Sequence, residues 1–129
     1  MKNIRYGKED ATDEEIIHAA QIAQAAGFIE QMEEGYESII TQGGTNLSGG
    51  QKQRLSIARA LVRKPELYIF LMIAFQRLIL KTDAKLRSAL KIETVDRAVL
   101  IVAQRVSTVL HADQIIVLDE GKSRRYWYT

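Results

Sequence analysis

The sequence predicts an α/β domain with a parallel sheet. Three observations carry this. Residues 1–64 show helical patterning. After Pro65, the one proline, apolar runs alternate with helical patterns. The run at 98–103, AVLIVA, is an unbroken apolar stretch of the kind found in parallel strands covered on both faces. With 129 residues, 47% apolar and 26% charged, the chain is long enough for one real core and too apolar for disorder.

The first long helix is expected from Thr12. Thr12 can cap it, and Glu15 stands at the capping-box distance. Ile16, Ile17, Ala20, Ile22 and Ala23 form its apolar stripe, and Gly27 fits its stop. Residues 28–44 are mixed, with turn-prone Gly35, Gly43 and Gly44. A second helix is expected from Ser48 to about Arg63. Its basic end (Arg59, Arg63, Lys64) suits the negative helix C-terminus. Residues 67–71 then read as a buried strand, 82–93 as a helix and 98–103 as the second strand. Residues 107–111 read as a helical turn and 114–118 as a third strand ended by Asp119-Glu120-Gly121.

Composition excludes several classes. Eighteen basic and 16 acidic residues give a net charge of +2, too balanced to point to nucleic acid or a membrane surface. With no cysteine there is no disulfide scaffold, Cys-ligated zinc or thiol catalysis. The start, MKNIRYGKED, has no apolar core and is no signal peptide. Residues 67–80, LYIFLMIAFQRLIL, are shorter than the roughly 20 residues of a spanning helix and are interrupted by Gln76 and Arg77. His18 and His111 are read as ordinary helix and turn residues.

One motif carries chemistry. Leu47-Ser48-Gly49-Gly50-Gln51 opens the second helix. The glycines let backbone N–H groups approach a ligand with no Cβ in the way. The helix presents its positive end there. Ser48 adds a hydroxyl and Gln51 an amide, which together make a phosphate-binding surface. Ser-Gly-Gly alone also fits a glycine turn with a serine cap. The full run LSGGQKQRLSIARALVRKPELYIF is far more specific. It resembles the signature region of ATP-binding-cassette (ABC) ATPases. NIRYGKEDATDEE resembles the lead-in to the helical subdomain of ABC exporters, AQRVST at 103–108 their switch loop, and ADQIIVLDEG at 112–121 the strand and turn beyond it.

The resemblance implies a partial P-loop NTPase nucleotide-binding domain. Residues 1–64 would be the helical subdomain with the signature, and 65–122 the C-terminal part of the ATPase core. Two such domains face each other head to tail in that family. Ser48, Gly49, Gly50 and Gln51 would then touch the γ-phosphate of ATP held by the phosphate loop of a second nucleotide-binding domain. ATP and Mg2+ are the family's ligands, and phosphoryl transfer to water its chemistry. An exporter's transmembrane domain would be a further partner, at the cytoplasmic face of the cell membrane.

Three departures from the family follow. Gly121-Lys122-Ser123 has the ending of a phosphate loop, but position 116 is Ile, so the chain is expected to begin beyond the family's phosphate loop and glutamine loop. Leu71 and Met72 stand where acids for magnesium and the attacking water belong, and no carboxylate appears before Asp83, so no metal ligand is assigned. Gln104 stands at the switch-loop position where most relatives carry histidine. It resembles the degenerate half of a heterodimeric exporter and cannot titrate near neutrality. No intact catalytic residue remains, and the chain alone is expected to be inactive, with no tight ligand of its own.

Residues 71–79 have a reading-frame explanation. Codons for the family's Asp-Asp-Ser-Phe-Ser-Ala-Leu-Asp, read one base out of register, can spell Leu-Met-Ile-Ala-Phe-Gln-Arg-Leu-Ile. The same operation on Val-Val-Gly-Ile-Gly-Thr-His yields Ser-Arg-Arg-Tyr-Trp-Tyr-Thr. Residues 123–129 therefore read as an out-of-frame tail, and the basic aromatic run at 124–128 is not assigned to nucleic acid. Two alternatives stand beside the exporter fragment. One is a non-enzymatic remnant docking on an ABC partner. The other is a soluble ABC ATPase of DNA-repair type, against which the exporter-like lead-in and switch loop speak.

Overall fold

The computed structural model describes residues 2–71, 80–103 and 109–128. A short helix α1 (Lys2–Arg5) leads to α2 (Asp13–Ile22) and α3 (Ala26–Ile29). Two 3-10 turns, Gly35–Glu37 and Gln42–Gly44, precede the long helix α4 (Gly49–Leu61). Then come β1 (Leu67–Leu71), α5 (Leu80–Glu93), β2 (Ala98–Val102), β3 (Gln114–Asp119) and β4 (Lys122–Tyr128).

Helix α2 starts as its sequence dictates. The Thr12 side chain accepts from the Glu15 N–H at 3.2 Å, and the Thr12 N–H donates to Glu15 Oε2 at 3.2 Å. It ends five residues before Gly27, contrary to expectation. Gln24, not a glycine, takes the left-handed conformation (φ 57°). Its N–H reaches the Gln21 carbonyl at 3.0 Å and the Ala25 N–H reaches the Ala20 carbonyl at 2.7 Å, which closes the helix as a Schellman motif. Gly27 instead lies within α3.

Helices α1 to α4 enclose the core. Ile4, Ile16, Ala20, Ala23, Leu55, Ala58, Leu61 and Val62 are buried together. Leu86 of α5 and Tyr68 of β1 join them from the second half. Burial pushes the Tyr68 phenol above its ordinary pKa, with Glu93 adding to the shift.

Strands β1 and β2 are parallel, with Leu67 opposite Ala98 and Leu71 opposite Val102, joined through α5. This is the expected βαβ unit. Two expectations need correction. β2 is not covered on both faces: Val99, Leu100 and Val102 are exposed. Helices α1 to α4 pack on one another and α5 turns Leu86 toward that helical core, so among the described residues none of these helices buries β2. The third strand also does not join the parallel sheet. β3 pairs antiparallel with β4, Asp119 opposite Lys122. Glu120 and Gly121 both have positive φ (49° and 73°), as a two-residue hairpin turn requires, and this folds the chain directly back.

Candidate functional site

The site is the N-terminus of α4. Ser48 is extended (φ −68°, ψ 160°), and its Oγ accepts from the Gln51 N–H at 3.2 Å. Gln51 Oε1 accepts from the Ser48 N–H at 2.8 Å. The four residues singled out in the sequence are therefore brought together as a capping box. That arrangement occupies one oxygen of each side chain. The Ser48 hydroxyl proton and the Gln51 amide nitrogen remain available to donate.

Gly49 and Gly50 are the first residues of the helix, where N–H groups have no intrahelical acceptor. Among the described residues none meets them. Ser48 and Gly49 are exposed, so an anion can reach these donors from solvent. The helix dipole adds positive potential at the same point.

The loop before the motif is held by its own polar groups. Thr41 Oγ1 donates to Asn46 Oδ1 at 3.0 Å, and Asn46 Nδ2 donates to the Ile39 carbonyl at 3.1 Å. Gly43 and Gly44 both have positive φ (72° and 63°). Lys52 Nζ, one residue past the motif, donates to the Gly43 carbonyl at 2.8 Å. It fastens the glycine turn to the first turn of α4.

Arg54 is the residue that motif reasoning missed. Its Nε donates to the Gly50 carbonyl at 3.2 Å and its Nη1 to the Gln24 carbonyl at 2.9 Å. The guanidinium carbon lies 5.0 Å from the centre of the Phe28 ring. Burial holds Arg54 below its ordinary pKa, though guanidinium stays charged at any working pH. Its role is invisible in sequence because Gln24 lies 30 residues away.

Gln104 and the rest of 104–108 lie outside the described residues, as do Met72 and 73–79. Among the described residues no cluster of three or more His, Asp or Glu side chains could hold a metal ion. His18 is exposed, with Nε2 3.4 Å from Glu93 Oε2, and His111 is exposed.

Comparison with known proteins identifies what the chain is similar to. Residues 2–70 match the model of a family described as ABC transporter. An ABC transporter ATP-binding protein of Bacillus subtilis is 46% identical over 121 residues, covering 94% of this chain and 21% of its own length. A putative multidrug export ATP-binding/permease protein of Staphylococcus aureus is 44% identical over 120 residues, covering 93% of this chain and 21% of the relative. Among solved structures, a bacterial Atm1-family ABC exporter with ATP bound matches with a TM-score of 0.89 and 35% identity, over 96% of this chain and 22% of that one. The chain thus spans about a fifth of the length of the relatives it matches.

Proposed function

Because the chain belongs to the ABC transporter family, we propose that it supplies the signature-bearing part of an exporter's ATP-binding domain. Ser48, Gly49, Gly50 and Gln51 would contact the γ-phosphate of ATP held by a second nucleotide-binding domain. The observation that carries this is the capped α4 N-terminus, where the Gly49 and Gly50 N–H groups meet no acceptor among the described residues and Ser48 and Gly49 are exposed. Such donors favour a polyanion without needing a side-chain cation.

The exporter names among the relatives favour this over a soluble ATPase of DNA-repair type. They also support a transmembrane domain as partner and a place at the cytoplasmic face of the membrane. No helix among the described residues is long and apolar enough to cross a membrane itself.

The 129 residues do not by themselves assemble an ATPase centre. They contain no phosphate-loop pattern, and residues 71–80 carry no carboxylate, so that segment does not fit a magnesium ion. Gln104, at the switch-loop position, offers an amide in place of a titratable imidazole. The chain's contribution is to orient fixed dipoles at the partner's phosphate, not to hold nucleotide alone.

The test is association with the ATP-binding domain of the Bacillus subtilis relative. Binding should require ATP, fail with ADP, and be lost in Gly50→Asp. That carboxylate suits a helix N-terminus, so it preserves folding while repelling phosphate. Binding that ignores the nucleotide, or survives Gly50→Asp, would overturn the proposal. Phosphate release by the chain alone should not exceed a protein-free blank.

A further inference from the structure

We infer that Arg54 is a positioning residue that strengthens the Ser48 hydroxyl as a donor to phosphate, through a chain of hydrogen bonds running the length of the motif. This rests on the function proposed above. Arg54 Nε–H donates to the Gly50 carbonyl at 3.2 Å. That carbonyl belongs to the same peptide unit as the Gln51 N–H, which donates to Ser48 Oγ at 3.2 Å. Ser48 Oγ keeps its own proton for a ligand.

Every bond in this chain points the same way. A cation withdraws electron density from the Gly50 carbonyl, so the Gln51 N–H becomes a stronger donor. Its bond to Ser48 Oγ in turn makes the hydroxyl proton a stronger donor to an anion. Hydrogen bonds aligned in this sense polarise one another and so reinforce one another. The Arg54 guanidinium is partly withdrawn from water against Phe28, so its field is less screened than that of an exposed lysine.

The second arm of Arg54 fixes where this acts. Nη1 donates to the carbonyl of Gln24, the left-handed residue closing α2. One planar group therefore sets the first turn of α4 against the end of α2. Lysine, with a single ammonium, cannot hold both carbonyls in that fork.

The experiment uses the full 129-residue chain. A scalar coupling across the hydrogen bond between Arg54 Nε and the Gly50 carbonyl carbon should be measurable by NMR in the unaltered protein. In Arg54→Met, which keeps an unbranched stem against Phe28, the Gln51 amide proton should move upfield. ATP-dependent association with the Bacillus subtilis domain should weaken about ten-fold, while α4 helicity by circular dichroism stays. Arg54→Lys, which keeps a cation but not the fork, should recover the association and the Gln51 shift only in part, and the two together. No coupling in the parent, or an Arg54→Met protein with unchanged Gln51 shift and unchanged association, would overturn the inference. If the parent itself does not associate, the proposed function falls, and the coupling and the Gln51 shift still decide the role of Arg54.

Discussion

At Gly7 the chain runs against the back of α4. An added Cβ would lie 2.2 Å from the Arg59 carbonyl oxygen and 2.7 Å from Val62 Cγ1. The nearer atom is helix backbone and cannot swing aside. Gly7→Ala should therefore destabilise by about 1–3 kcal/mol, the ordinary cost of overpacking. Gly27→Ala is the control, since nothing lies within 4 Å of its Cβ position and it sits in α3. It should be neutral or stabilise by up to about 1 kcal/mol. Urea midpoints of the two variants should move in these directions. Ser48 adds a second contrast at the site. Ser48→Ala should cost about 1 kcal/mol through the lost cap. Ser48→Asp should restore stability, since Asp caps well, while still failing to bind ATP-loaded partner. Equal binding by Ser48→Asp and parent would show that the hydroxyl faces no phosphate.

Between elements, Glu15 joins both ends of the helical half. Its carboxylate meets Lys8 Nζ at 2.9 Å, ahead of α2, and Lys64 Nζ at 3.2 Å, beyond α4. The Lys8 hydrogen bond, then the Thr12 N–H, then Lys64 hold Glu15 at about 2, well under the ordinary 4.5. A carboxylate whose pKa is depressed by folding contributes stability above its unfolded value and loses it as pH falls. The contribution should be complete above about 4.5 and fade toward 2. In Glu15→Gln that acid dependence should be absent, with the two urea midpoints converging near pH 2. A constant offset between them would show that the ion pairs do not matter. The Thr12–Glu15 box was legible because its residue types and spacing are local. The end of α2 was not. Gln24 adopts a left-handed turn with no glycine to announce it, and Arg54, 30 residues away, donates to its carbonyl. That Ser48 to Gln51 open a helix was legible from a serine followed by two glycines and a helical pattern. That Ser48 and Gln51 also cap each other follows the same Ser-x-x-Gln rule, which the phosphate reading overshadowed. Strands β1 and β2 announced themselves as apolar runs. The pairing of β3 did not, because a strand's residues do not say which neighbour it takes, whereas Glu120-Gly121 with Lys122 beyond them decides it.

Across the whole molecule, packing is uneven. Of the fully buried large side chains, Ile16 and Val62 belong to the helical half and Leu86 reaches it from α5. Strand β2 has no buried side chain of this kind, although Tyr68 of the neighbouring β1 reaches the core. Leu100 is 51% exposed and Val102 45%, while Val99, on the opposite face, is 40% exposed. Parallel sheets are ordinarily covered on both faces, so this surface is unusual for free solution. Stability should follow the packing. Amide exchange should be slowest in α2 and α4 and faster in β2 and in the β3–β4 hairpin, because protection tracks buried contacts. The exposed side chains of β2 should bind a hydrophobic dye such as anilinonaphthalene sulfonate. Leu100→Lys should weaken that binding while changing the urea midpoint of the helical half by less than about 0.5 kcal/mol equivalent, since an exposed side chain supports little. Dye binding that Leu100→Lys leaves intact would place the exposed apolar surface elsewhere. A large loss of α4 helicity in that variant would show instead that the sheet and the signature helix fold as one unit. Such coupling would make the Ser48–Gln51 geometry depend on whatever packs against β2, and not on α2 and Arg54 alone.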